Sequence, residues 1–191
     1  MNNFPNKTVI VTGGTQGIGL EISKHLANIN CKIILISRSK DDLEKVCKEL
    51  DEINKLTNFY FVADVSNRKD LSSLENFLSS HQLMIDALIN CAGVYGPIGN
   101  TLDIDLEEFQ KAFNINFFGT LYMIKATKNL FKKAIKKKVI NFSGGGAASP
   151  FPYYSAYATS KAAIVRLTEN LSIELKNDSF DINCIAPGFV V

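Results

Sequence analysis

Six short apolar runs, at 8–11, 33–36, 59–62, 85–89, 139–142 and 182–185, constrain the fold of this chain more than any other feature. They are rich in Val, Ile and aromatic residues, and they are nearly continuous instead of alternating. A strand with one face in water alternates apolar and polar residues; a strand covered on both faces does not. Helix-length segments at 18–28, 40–54, 68–80, 106–133 and 154–176 lie between the runs. Parallel strands need long crossovers, and a helix is the usual one. The alternation therefore predicts an α/β fold in one domain over 1–191: a doubly wound parallel sheet in a three-layer α/β/α sandwich. With 46% hydrophobic residues in 191, there is material for one core of that size.

Several functions are disfavoured by composition. A net charge of +2 is too small to argue for nucleic acid or an anionic membrane surface. The basic cluster Lys132, Lys133, Lys136, Lys137 and Lys138 reads as the solvated end of the 106–133 helix. The four cysteines are scattered without a CxxC pair, which fits reduced thiols and a cytoplasmic location. Two histidines without ligand-spaced partners give no expectation of a metal. The first residues run directly into a strand pattern, so no signal peptide is expected, and no apolar stretch approaches membrane-spanning length.

Two motifs carry chemistry. Directly after the first strand comes Thr12-Gly13-Gly14-Thr15-Gln16-Gly17-Ile18-Gly19. Glycines there permit a tight turn and close backbone approach to a pyrophosphate, and the following helix offers free N–H groups. Tyr157 and Lys161 stand four apart in a helical stretch, one turn apart on one face. A phenol titrates near ~10, and a fixed ammonium beside it favours the phenolate. The pair is a candidate general acid and base. Loops at 93–101 and 144–152 follow the fourth and fifth strands, where ligands bind in open parallel sheets.

The spacing G-x-x-x-G-x-G together with Tyr-x-x-x-Lys resembles the short-chain dehydrogenase/reductase family, and the resemblance runs along nearly the whole chain. It implies a Rossmann-like fold and an NAD(P)-dependent oxidoreductase that interconverts a carbonyl and an alcohol. It implies that Gly13, Thr15, Gln16, Gly17, Ile18 and Gly19 hold the pyrophosphate. Asp64 and Val65 would meet the adenine; Asn90, Ala92 and Gly93 would border the cofactor at the end of the fourth strand. Pro187, Gly188 and Val190 match the turn that closes over the nicotinamide. Tyr157 would be the general acid and base, and Lys161 would hold the ribose and lower the Tyr157 pKa. Ser143 would bind the substrate oxygen, and Asn116 would hold a water linking Lys161 to solvent.

Some positions depart from the pattern. Ser143 lies fourteen residues before Tyr157, and strict counting places Gly144 at the serine position. Ser143 remains the choice, with Ser149 and Ser155 as alternatives. At the end of the second strand stand Ser37 and Arg38, where NAD-preferring relatives carry an acid. A guanidinium without an opposing carboxylate favours NADP(H) over NAD. The resemblance also implies a substrate lid, a helix and a last strand beyond Val191, so the sequence reads as C-terminally truncated. On that reading the alternative to an active enzyme is a dinucleotide-binding protein with little catalysis. Family members assemble as homodimers or homotetramers, through the helices matched here by 106–133 and 154–176. Tyr95, Pro97, Phe151, Tyr153 and Tyr154 are expected to line an apolar pocket for a small-molecule substrate.

Overall fold

A computed structural model of the chain describes residues 6–132 and 136–188. Six parallel strands form one sheet: β1 (Thr8–Thr12), β2 (Lys32–Ser37), β3 (Phe59–Val62), β4 (Ala87–Asn90), β5 (Lys137–Phe142) and β6 (Phe180–Ile185), in the order β3-β2-β1-β4-β5-β6. Thr12 pairs with Ile36 of β2 on one side and with Asn90 of β4 on the other. The strand order reverses between β1 and β4, so a crevice opens there at the carboxyl ends.

The apolar runs are double-sided, as their lack of alternation requires. Ile10, Ile34, Leu88, Val139 and Ile182 project to one face. There they meet α3 (Arg68–Leu71), α4 (Leu74–Ser80) and α6 (Gly119–Thr127) through Leu71, Leu74, Leu78 and Met123. Val9, Val11, Ile33, Leu35 and Ile89 project to the other face. They pack on Ala27 of α1 (Gly17–Asn28) and on Leu43, Val46 and Leu50 of α2 (Lys40–Asn54). The helix α7 (Ser155–Glu174) covers β5 and β6 on the first face, beside α5 (Leu106–Phe113). On β6, Asn183 and Ile185 are exposed on the opposite face.

Three expected helices differ in detail. The 68–80 segment splits into α3 and α4, because the hydroxyls of Ser72 and Ser73 donate to the Lys69 and Asp70 carbonyls at 2.7 and 3.3 Å. Such side chains compete with the helical ladder. The 154–176 segment is α7 followed by a 3₁₀ turn, Lys176–Asp178. The 106–133 segment is α5, a π-helical turn Asn114–Phe118, and α6, which stops at Thr127. Beyond it, Phe131 bridges to Ile85, with Ile85 N–H donating to Leu130 O at 3.0 Å and Lys132 N–H to Ile85 O at 2.8 Å.

The basic cluster is therefore not a helix end. Lys132 Nζ bonds the buried Asp86 carboxylate at 2.6 Å, and Lys137 and Lys138 open β5; Lys133 lies outside the described residues. Among the described residues, no helix is long and apolar enough to cross a membrane.

Candidate active site

A cavity of about 920 Å³ occupies the crevice between β1 and β4, within the size range of cofactor and substrate pockets. Thr12 fixes its floor: its Oγ1 accepts from the N–H groups of Cys91 and Ala92, both at 3.1 Å, and ties the end of β1 to the end of β4. The turn after β1 is packed to backbone distance. A Cβ on Gly13 would stand 2.9 Å from Ala92 Cα, and one on Gly19 would overlap the Gly13 carbonyl. Gly13 and Gly17 both have left-handed φ, +65° and +52°. Gln16 precedes α1 without a side-chain cap bond, and the first turn of α1 holds no acidic residue. The leading N–H groups of α1 and its positive dipole end thus face the cavity, and Gly17 leaves open space before them. This cradle fits a pyrophosphate.

The rest of the wall suits a dinucleotide. Ser37 and Arg38 line the cavity at the end of β2, and Arg38 has no ion-pair partner among the described residues. Asp64 and Val65 line it after β3. Asp64 Oδ1 is occupied by Ser66, accepting from its N–H at 2.8 Å and its hydroxyl at 2.6 Å. Ala92, Gly93, Pro187 and Gly188 also line the cavity, whereas Val190 lies outside the described residues. Asn90 does not line it. Its side chain turns into the sheet, where Nδ2 donates to Asn141 Oδ1 at 2.9 Å, and Asn141 donates to Thr168 of α7 at 2.9 Å. Asn90 is thus a brace between strands.

Tyr157 and Lys161 of α7 enter the same cavity as the glycine turn. Lys161 is 5% exposed, and its Nζ donates to the Phe142 carbonyl at 2.8 Å. Burial depresses its pKa to about 8, against a small upward pull from the thiols of Cys91 and Cys184. Tyr157 behaves opposite to expectation: burial, and then a charge on Tyr95, hold its phenol above the ordinary value. The lysine is anchored to the β5 backbone, with its ammonium 5.5 Å from the centroid of the phenol ring. Desolvation of the phenol is therefore the leading cause of its shift.

Ser143 also lines the cavity, and its hydroxyl is engaged. Ser143 is 3% exposed, and its Oγ donates to the Lys161 backbone carbonyl at 3.3 Å. Gly144 is the residue against the phenol: a Cβ there would overlap the Tyr157 hydroxyl and stand 3.0 Å from its Cζ. Ser143 thus steadies the lysine-bearing turn, and no side chain projects from position 144. Ser155 is tied to Thr101, Oγ to Oγ1 at 2.5 Å, and Ser149 does not line the cavity.

Asn116 is fully buried in the π turn, and it too is committed. Its Oδ1 accepts from Val94 N–H at 2.8 Å, and its Nδ2 donates to Val94 O at 2.9 Å and to Ser160 Oγ at 2.9 Å. Both N–H bonds are used, so the side chain acts as a clamp on the Val94 peptide, and only an oxygen lone pair remains for a water. The apolar wall is built from Tyr95, Ile98, Phe151 and Tyr154, while Pro97 and Tyr153 do not line the cavity. Tyr154 stacks on Phe151 at 4.6 Å and meets Tyr95 edge-on at 5.8 Å.

The sequence profile described as short chain dehydrogenase matches residues 7–191. The chain belongs to the short-chain dehydrogenase family. It is 31% identical over 185 residues to dehydrogenase/reductase SDR family member 4 of Sus scrofa, covering 97% of this chain and 66% of that protein. It is 32% identical over 184 residues to the diacetyl reductase [(S)-acetoin forming] of Staphylococcus epidermidis, covering 96% of this chain and 71% of that one. A short chain dehydrogenase crystal structure from Salmonella enterica superimposes with a TM-score of 0.91 at 25% identity, over 96% of this chain and 76% of that chain. The chain thus spans about two thirds of the length of such curated relatives.

Within this short-chain dehydrogenase, motif reading missed three contributors. Thr12 carries no motif beyond its place before the glycine turn, although a threonine ending a central strand is placed to reach the next strand. Ser160, beside Lys161, carries no motif of its own and is found only through its bond to Asn116. Gly144 was signalled by the one-residue mismatch in spacing, and the packing of Tyr157 against it resolves that mismatch.

Proposed function

We infer that this short-chain dehydrogenase interconverts a small carbonyl and its alcohol, using a nicotinamide dinucleotide and Tyr157 as general acid and base. One observation carries the reading: the Tyr157–Lys161 face and the glycine cradle open into one cavity. The cradle residues Gly13, Thr15, Gln16, Gly17, Ile18 and Gly19 would hold the pyrophosphate, and Asp64 and Val65 the adenine end. Pro187 and Gly188 would border the nicotinamide end. When bound, the dinucleotide supplies or accepts the hydride. Tyr157 gives its proton to the substrate oxygen in reduction and takes it back in oxidation. Its raised pKa keeps the phenol protonated at neutral pH, which suits the reducing direction. Lys161, cationic below pH about 8, places positive charge beside the phenol and within reach of a ribose.

Arg38 supports NADP(H) over NAD, because its guanidinium makes no ion pair with a described residue and β2 carries no carboxylate. The aromatic wall of Tyr95, Phe151 and Tyr154 favours a small apolar or aromatic carbonyl. The diacetyl reductase of Staphylococcus epidermidis makes a small dicarbonyl the first substrate to test. The reading includes a cytoplasmic enzyme that assembles as a homodimer or homotetramer through α5–α6 and α7, where Leu106 and Ile173 are exposed.

The test pairs NADPH binding with NADPH oxidation over a panel of ketones, aldehydes and diketones. Tyr157→Phe is expected to lower kcat by about 10²–10⁴-fold and to leave NADPH affinity within about threefold. Binding of NADPH without turnover of any carbonyl by the unaltered chain would overturn the reading.

A further inference from the structure

Reduction of a carbonyl builds negative charge on its oxygen, and pre-placed donors around that oxygen lower the barrier. The other positions near Tyr157 are bare or already hydrogen-bonded. Gly144, against the phenol, has no side chain. Ser143 gives its hydroxyl to the Lys161 carbonyl, and Asn116 spends both N–H bonds on Val94 and Ser160. Tyr95 stands next to Tyr157 instead. Their ring centroids are 4.9 Å apart at 44°, and both line the cavity.

Tyr95 is also held in place. Val94, the residue before it, is clamped through both its N–H and its C=O by Asn116. Its ring is braced edge-on by Tyr154, which in turn stacks on Phe151. Yet Tyr95 remains 59% exposed, and its hydroxyl makes no hydrogen bond to any described residue. A braced ring with an uncommitted hydroxyl beside the reacting phenol is placed to meet a ligand. Charge on Tyr95 also acts to raise the Tyr157 pKa.

We propose that the Tyr95 hydroxyl is the second donor to the substrate oxygen, and that Tyr95 is a catalytic residue of this chain. This rests on the oxidoreductase reading above. In reduction, hydride from the dihydronicotinamide forms the new C–H bond, and the carbonyl π pair moves onto oxygen. The Tyr157 proton then forms the O–H bond, while Tyr95 donates a hydrogen bond throughout and keeps its own proton. The cofactor is oxidised and the carbonyl reduced.

The experiment compares the unaltered protein with Tyr95→Phe and Tyr95→Ala. NADPH-dependent reduction of 1-phenyl-1,2-propanedione and of diacetyl is measured. Calorimetric binding of the same diketones to the protein–NADP+ complex is measured alongside. Tyr95→Phe is expected to lower kcat by about 10–10²-fold and to weaken diketone binding about three- to tenfold, with NADP+ affinity and melting temperature unchanged. Full activity and full diketone affinity in Tyr95→Phe would overturn the proposal, and so would a loss confined to Tyr95→Ala, which would make Tyr95 an apolar wall only. If the unaltered protein binds a diketone in a Tyr95-hydroxyl-dependent way but never reduces it, the donor role stands and the reductase reading falls. If it binds no diketone, both fall.

Discussion

Lys161 is a single buried charge that bears on both the stability of the fold and the proposed chemistry of the site. Burial moves its pKa from 10.5 to about 8, a cost on the order of 3 kcal/mol borne by the folded state whenever the amine is charged. The folded chain therefore binds fewer protons than the unfolded chain between pH about 8 and 10.5. Stability gains from this group as pH rises through that window, and the cost is fully present below it. The catalytic consequence is sharper. In the proposed mechanism the ammonium beside Tyr157 is lost above pH about 8, whereas the phenol itself titrates above its ordinary value. The kcat/KM profile for carbonyl reduction, which reports the free enzyme, is expected to fall above pH about 8. A profile that stays flat to pH 10, an ordinary phenol value, would show that the Lys161 charge is not required.

At the scale of elements, what could be read from the chain depended on whether the signal was local. The six strands follow from local runs, and β3 begins and ends where its apolar residues do. The glycine turn and the Tyr157–Lys161 pair were legible because fixed spacings imply fixed geometry. The end of α6 was not legible. Residues 128–132 continue a helical pattern, but Leu130 O and Lys132 N–H bond the Ile85 backbone, and the Lys132 side chain is claimed by Asp86. That contact lies 46 residues away in sequence, so no window could contain it.

The same contact makes Asp86 a joint between β1, β4 and the α6–β5 connection. Its carboxylate accepts from Thr8 N–H at 2.9 Å and pairs with Lys7 and Lys132 at 3.3 and 2.6 Å. Burial pushes its pKa up, but these bonds outweigh it and the net shift is downward. Asp86→Asn is expected to lower unfolding free energy by about 1–3 kcal/mol, measured by urea denaturation at neutral pH. Because the folded pKa is depressed, this contribution is present above the ordinary carboxylate range. It disappears as pH falls through the folded value, so the two proteins should converge in acid. Equal stability at neutral pH would remove Asp86 from this role.

For the whole molecule, the reversal of strand order makes the binding site a seam. The half β3-β2-β1 supplies the glycine cradle and Arg38; the half β4-β5-β6 supplies Ala92, Gly93 and, with α7, the Tyr157–Lys161 face. A ligand that spans the seam touches both halves and cannot bind when either is unfolded. Its binding energy therefore adds to global stability, by about 2.7 kcal/mol at a hundredfold excess over Kd. If Arg38 recognises the 2′-phosphate, NADPH should raise the melting temperature more than NADH at equal concentration. Arg38→Ala should erase that difference while leaving NADH stabilisation intact, because the proposed cradle at Gly13–Gly19 would hold the pyrophosphate of either ligand. Arg38 is exposed and makes no ion pair with another described residue, so the variant should melt with the unaltered chain when no nucleotide is added. Larger stabilisation by NADH, or no change in the difference on removing Arg38, would assign cofactor choice to other residues. The comparison needs no turnover, so it tests the cofactor assignment even if the substrate is never found.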